Sequence, residues 1–138
     1  KISSHYKGDL KRKHFALWGL AFKPNTDDVR EAPAHYLIKL LLDAGATIKA
    51  YDPEANQTSK AVLGDTIQYA ETSDETLKDA DALIVVTEWK EFRNPDFETI
   101  KKSLKAPVIF DGRNLYDLDK LNELKFSYYS IGRSDVKN

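Results

Sequence analysis

Three cationic side chains are the residues of this sequence best suited to binding a charged ligand. Lys23 and Arg30 lie seven positions apart in the stretch from Gly19 to Pro33, and Arg113 directly follows Asp111-Gly112. Arginine offers a planar fork of donors and lysine a compact positive charge, so a converging set of them suits a diphosphate. These residue types therefore indicate a site for a phosphorylated small molecule.

Each cation also has a simpler interpretation. An isolated lysine such as Lys23 is usually solvent-exposed. Arg30 has three acidic neighbours in the sequence, Asp27, Asp28 and Glu31. A surface ion pair with one of them would contribute only ~0–1 kcal/mol. Arg113 could simply belong to a turn after Asp111-Gly112. The cations form a site only if the fold brings them together.

Apolar runs alternate with helical patterns along the chain. Such runs without internal alternation are typical of parallel strands covered on both faces. Strands are predicted at 14–19, 47–51, around 67, and at 82–86, 107–110 and 126–131. The order predicts an α/β fold: a Rossmann-like, doubly wound, mostly parallel sheet of about five or six strands in a three-layer sandwich.

Local signals place the helix ends. Pro33 suits the first turn of a helix that Gly45 would terminate. A short helix or loop is expected after residue 54, a capping box begins a helix at Thr72, and Asp117 would cap another. Asn94-Pro95 is interpreted as the N-cap and first position of the helix that carries Phe97, Ile100 and Leu104.

Four predicted strands end in polar residues or glycine, at Gly19, Asp52, Thr87-Glu88 and Asp111-Gly112-Arg113. The carboxyl ends of parallel strands share one edge of the sheet, where ligands bind in open α/β folds. Lys23 or Arg30 from the first loop could therefore meet Arg113 there. The N-terminus of the helix at Pro33 would add free N–H groups.

Asp52 ends the second predicted strand, where dinucleotide-binding folds place a ribose-binding acid. The Gly-x-Gly-x-x-Gly fingerprint is missing, because Leu20, Ala21, Phe22 and Lys23 follow Gly19. A standard NAD-binding half-domain is therefore rejected, and Asp52-Pro53 is interpreted as a turn that ends the strand.

Composition limits the remaining possibilities. The 138 residues fit one domain, and a net charge of −1 gives no case for a nucleic-acid or membrane-surface partner. Without cysteine there is no disulfide, thiolate metal site or Cys nucleophile, and His5, His14 and His35 lack ligand spacing. No apolar run reaches the ~18 residues of a membrane span, and no signal peptide appears. We expect a soluble, cytoplasmic-type domain without a metal site.

The stretch from Gly19 to Pro33 reads Gly-x-x-Phe-Lys-Pro-x-Thr-Asp-Asp-x-Arg-Glu-x-Pro. It resembles the signature loop of the UDP-glucose/GDP-mannose dehydrogenase family, which opens the C-terminal UDP-binding domain. The resemblance extends over about 14–131, through segments 50–53, 87–92 and 110–114. Within the family, Thr87-Glu88-Trp89 is similar to the UDP-glucose branch rather than the N-acetylmannosamine branch.

This resemblance implies a role in oxidising a sugar C6 alcohol to a carboxylate, in two NAD-dependent steps through a Cys-linked intermediate. The family places its dinucleotide fingerprint and catalytic Cys upstream of this domain. It therefore implies a UDP-binding domain at 14–138, preceded by a lead-in at 1–13 from a missing upstream domain. The chain alone is expected to be inactive. The implied partners are UDP-glucose or another UDP-sugar, the upstream domains and, in the full-length protein, a homo-oligomer.

Carried over by position, the resemblance makes Phe22 and Lys23 substrate-binding residues. Arg113 and Asn114 would line the UDP pocket, although either could make the contact, because some members have a second Arg at the position of Asn114. Arg30 would reach NAD across the interdomain cleft. A stand-alone nucleotide-binding regulatory module, the same domain from a dehydrogenase of another nucleotide sugar, and a structural interaction domain remain alternatives.

Overall fold

The apolar runs of the sequence assemble into one parallel sheet. The computed structural model describes residues 2–21, 32–131 and 133–137. In that part of the chain six strands form the sheet: β1 (His14–Trp18), β2 (Thr47–Tyr51), β3 (Gln68–Tyr69), β4 (Ala82–Val85), β5 (Val108–Asp111) and β6 (Ser127–Tyr129). Their order is β3-β2-β1-β4-β5-β6, and all neighbours are parallel. The predicted doubly wound sheet is confirmed, with its strand order reversing between β1 and β4.

The described helices lie before and between the strands. They are α1 (Ile2–His5), α2 (Pro33–Asp43), α3 (Asn56–Leu63), α4 (Ser73–Leu77), α5 (Lys90–Arg93), α6 (Phe97–Ser103) and α7 (Leu118–Glu123), with a 3₁₀ turn at Gly64–Thr66. Gly45 has a φ of +93° just after α2, which confirms the predicted glycine stop. Among the described residues, no helix combines the length and apolar character needed to cross a membrane.

The predicted start of α6 is wrong. The helix α6 begins at Phe97, and its N-cap is Asp96 rather than Asn94. The Asp96 carboxylate accepts hydrogen bonds from the N–H groups of Glu98 and Thr99, which satisfies two free donors of the first turn. Asn94 instead ends the short helix α5, which the sequence did not predict.

The sheet separates two apolar cores because successive side chains of a strand point to opposite faces. On β1, Phe15 and Leu17 pack with Ile38 of α2 on one face. Ala16 and Trp18 pack on the other face with side chains from α4, α5, α6 and α7. This arrangement confirms the predicted three layers.

The described residues before β1 contact the sheet. Leu10 is buried, the Tyr6 ring lies 5.8 Å from that of Phe15, and His5 Nδ1 lies 2.6 Å from the Tyr129 hydroxyl. Aromatic side chains of this segment therefore pack on the sheet. The predicted boundary between a lead-in at 1–13 and a domain at 14–138 stays a prediction.

Candidate ligand site at the carboxyl edge of the sheet

The residues that follow β1 pack closely against those that follow β4. Gly19 has a φ of +101°, and a Cβ at this position would overlap the Thr87 side chain and lie 2.7 Å from its backbone nitrogen. Only glycine fits this close approach without strain. The Thr87 hydroxyl donates to the Ala21 carbonyl at 2.8 Å. The loop after β1 therefore leaves the sheet from a fixed position beside the end of β4.

Asp52 closes the turn after β2. Its carboxylate is buried, and Oδ2 accepts from the N–H groups of Leu20 and Ala21 at 2.7 and 3.1 Å. Oδ1 accepts from those of Glu54 and Ala55, both at 2.9 Å. Because both oxygens are bonded to backbone donors, the carboxylate has a structural role. These backbone contacts agree with the interpretation of Asp52-Pro53 as a turn.

Asp111 holds the loop that follows β5. Its carboxylate is also buried, with Oδ1 accepting from the Arg113 N–H at 2.8 Å and Oδ2 from the Leu115 N–H at 2.6 Å. The Gly112 N–H donates to the Val85 carbonyl at 2.8 Å. The backbone that carries Arg113 is thus fixed from both β4 and β5.

The Arg113 side chain lies at the edge predicted for it. Its guanidinium donates to Glu88 Oε1 at 3.0 Å, and Arg93 donates to the second oxygen of Glu88 at 3.5 Å. The Arg113 side chain is 35% exposed. The structure therefore brings together Arg113 and Glu88, which the sequence placed at the ends of two different strands, and leaves a cation accessible to solvent.

Asn114 has a different set of contacts. It adopts the left-handed region with a φ of +56°. Its side-chain amide donates to the Ile131 carbonyl at 2.8 Å and accepts from the Ile131 N–H at 2.8 Å. Both amide atoms therefore join the Arg113 loop to the end of β6, whereas contact between Asn114 and a nucleotide stays a prediction.

A cavity of about 300 Å³ opens beside this loop, at the carboxyl ends of β4, β5 and β6. Most of its walls are apolar, and they include Leu37, Val86, Phe110 and Ile131. Pro33, the first residue of α2, also lines it. The N-cap of α2, Ala32, provides no side-chain cap. An apolar cavity with a few polar groups at its rim is the usual form of a small-ligand site.

Three predicted site residues, Phe22, Lys23 and Arg30, lie outside the residues that the structure describes. Their assignments as substrate- or cofactor-binding residues stay predictions. The structure fixes the residues on either side of them: Ala21 is bonded to Thr87, and Pro33 at the start of α2 lines the same cavity as Gly112.

Sequence reasoning missed Tyr128, in the last strand, and Arg133, which follows that strand; together they reach the Arg113 loop. The Tyr128 hydroxyl donates to Asp111 Oδ2 at 2.6 Å, and Arg133 donates to the same hydroxyl at 2.7 Å. Burial and the hydrogen bond to Asp111 raise the pKa of Tyr128 well above its usual value. The available signal was a tyrosine in the last predicted strand, and nothing in the sequence identified its partner.

Comparison with known proteins identifies the same family as the resemblance of the sequence. The model of the UDP-glucose/GDP-mannose dehydrogenase family, UDP binding domain, matches residues 16–118. A UDP-glucose 6-dehydrogenase of Pseudomonas aeruginosa is 44% identical over 133 residues, which cover 93% of this chain and 29% of that relative. The chain thus spans less than a third of the relative's length.

Solved structures resemble the fold along nearly the whole chain. A UDP-glucose dehydrogenase from Pyrobaculum islandicum aligns with a TM-score of 0.79 and 33% identity, over 96% of this chain and 28% of that one. An NDP-N-acetyl-D-galactosaminuronic acid dehydrogenase from Methanosarcina mazei aligns with a TM-score of 0.80 and 29% identity, over 96% and 27%.

Proposed function

This chain belongs to the UDP-glucose/GDP-mannose dehydrogenase family, and we propose that it binds the UDP moiety of a nucleotide-sugar substrate. The observation that carries the proposal is the position of Arg113. Its partly exposed guanidinium lies at the carboxyl edge of the sheet, on a loop whose backbone is fixed by Asp111. A fixed arginine at this edge suits a diphosphate, because its donors match phosphate oxygens.

The first loop and the first long helix complete the proposed site. Lys23 adds a second positive charge and Phe22 an apolar surface, both three or four positions after Gly19. The N-terminus of α2 offers free N–H groups and the positive end of the helix dipole at the same edge. Asn114 supports the loop and is the second candidate for contact with the nucleotide.

At the level of the longer enzyme, we propose an NAD-dependent UDP-glucose 6-dehydrogenase that converts UDP-glucose to UDP-glucuronate. Arg30 would contact NAD, which the upstream domains would bind for the most part, and the full-length protein would be a homo-oligomer. This chain contains neither cysteine nor the dinucleotide fingerprint. It therefore binds substrate in this scheme and does not catalyse the oxidation alone.

A second candidate is the same role in a dehydrogenase of another nucleotide sugar. It is favoured by the similarity to the Methanosarcina mazei enzyme, which acts on a different sugar. Both candidates require UDP binding at the same edge, and competition between UDP-glucose and UDP-N-acetyl sugars in the longer protein separates them. A nucleotide-binding regulatory module would also bind UDP but would have no catalytic partner.

A calorimetric titration of the chain with UDP tests the proposal. Lys23→Ala should raise the dissociation constant roughly tenfold or more, because a hydrogen bond to a charged group is worth ~1.5–3 kcal/mol. Lys11→Ala is the matched control, since Lys11 is an exposed lysine that lies before β1 and beside Gly45, at the amino edge of the sheet. Equal losses for both variants would indicate nonspecific attraction of the anion and would contradict the proposed site.

A further inference from the structure

A buried carboxylate controls the shape of the Arg113 loop. Asp111 is 2% exposed, and its described partners are the N–H groups of Arg113 and Leu115 and the hydroxyl of Tyr128. An ionised carboxylate can only accept hydrogen bonds, so every one of these partners donates. A buried charge is tolerated only when such partners are in place, so their loss would disturb the loop.

The direction of the Tyr128 hydrogen bonds follows from that of Asp111. Because the single hydroxyl proton goes to Asp111, the oxygen lone pairs accept from Arg133 at 2.7 Å and from the Tyr116 N–H at 3.3 Å. Burial of Tyr128 raises its pKa, so the hydroxyl keeps this proton at neutral pH. A continuous path of donors therefore runs from Arg133 through Tyr128 to Asp111.

Arg133 is itself held in place by several acceptors. It also donates to the Tyr116 carbonyl at 3.0 Å and to the Ser130 hydroxyl at 3.1 Å, and its guanidinium carbon lies 5.6 Å from the centre of the Tyr128 ring. The Tyr128 hydroxyl thus lies between the positive charge of Arg133 and the buried Asp111 carboxylate. This arrangement compensates for the burial of a negative charge.

We infer that Tyr128 and Arg133 are positioning residues for UDP binding, which act on Arg113 through the Asp111 carboxylate. The inference rests on the proposed function, because Arg113 must be a ligand contact for its position to matter. Neither residue needs to touch the ligand. They keep Asp111 oriented so that it holds the Arg113 backbone, and through it the guanidinium, at the carboxyl edge.

A double-mutant cycle between Tyr128→Phe and Arg113→Ala tests this coupling through UDP dissociation constants. We expect Tyr128→Phe to raise the constant about fivefold in the unmodified chain and by less than about twofold when Arg113 is already alanine. Tyr116→Phe is the matched control: it deletes a buried hydroxyl that donates to the Phe92 carbonyl at 2.6 Å, outside the path. Its UDP constant should stay within about twofold of the original.

Arg133→Gln provides a second route should Tyr128→Phe fail to fold. It should weaken UDP binding more in the unmodified chain than in the Arg113→Ala background. Arg133→Lys should keep part of the affinity that Arg133→Gln loses. If Arg113→Ala weakens binding but Tyr128→Phe or Arg133→Gln acts equally in both backgrounds, or not at all, the inference is wrong and the proposed site stands. If Arg113→Ala itself has no effect, both are wrong.

Discussion

The turns after β2 and β5 are built around the same residue type with different results. Asp52 and Asp111 both end or follow a strand at the carboxyl edge, and each is 2% exposed. Asp52 is bonded to four backbone N–H groups, two of them in the loop after β1. Asp111 is bonded to two, and its third donor is the Tyr128 side chain.

The difference separates a structural turn from a ligand loop. Backbone donors saturate Asp52, so its carboxylate joins two turns and offers nothing to a ligand. Two positions after Asp111, the Arg113 side chain pairs with Glu88 and is partly exposed to solvent. The Asp111 carboxylate also connects that loop to β6. A buried aspartate at a strand end therefore does not by itself mark a binding site, and its donors decide which role it has.

The largest effect we expect is on stability, from Asp52→Asn. The amide nitrogen would replace one oxygen and leave two buried N–H groups without an acceptor, which should cost about 3 kcal/mol of unfolding free energy. Urea unfolding measures this loss.

Asp74→Asn is the control for that substitution. Asp74 is exposed in the first turn of α4, so the change should alter the unfolding free energy by no more than ~0.5 kcal/mol. An Asp52→Asn protein as stable as this control would refute the structural role of Asp52.

A smaller loss of stability is expected at Asn114, in the loop that carries Arg113. Asn114→Ala loses both hydrogen bonds to Ile131 and places an alanine at a φ of +56°, so it should destabilise the fold by about 2 kcal/mol. Asn114→Gly loses the same bonds without the strain and should cost about 1 kcal/mol. Thermal unfolding of the pair would show the difference, and equal losses would mean that the left-handed backbone is not strained.

Much of the fold could be predicted because it depends on local patterns. The strand β2 and the start of α2 were predicted at the residues where they occur, since a short run ended by Asp52-Pro53 and a proline at position 33 are strong local signals. The start of α6 was wrong because Asn94 and Asp96 can both cap a helix, and the sequence does not say which one meets the free N–H groups.

The site could be predicted only in part, for a different reason. Because both follow predicted strands, Glu88 and Arg113 were predicted to share the carboxyl edge of the sheet, where they pair. The contact of Tyr128 with Asp111 joins residues 17 positions apart and depends on how β6 packs beside β5. The pairing of Asn114 with Ile131 depends on a left-handed backbone conformation that an asparagine permits but does not require.

The most direct test of the account compares two arginines that contact the same carboxylate. Arg113 and Arg93 both pair with Glu88, but only Arg113 is on the loop held by Asp111. In a UDP titration of the chain, Arg113→Ala should raise the dissociation constant roughly tenfold, and Arg93→Ala should leave it within about twofold. Equal dissociation constants for the two variants would contradict the claim that the Arg113 loop binds UDP.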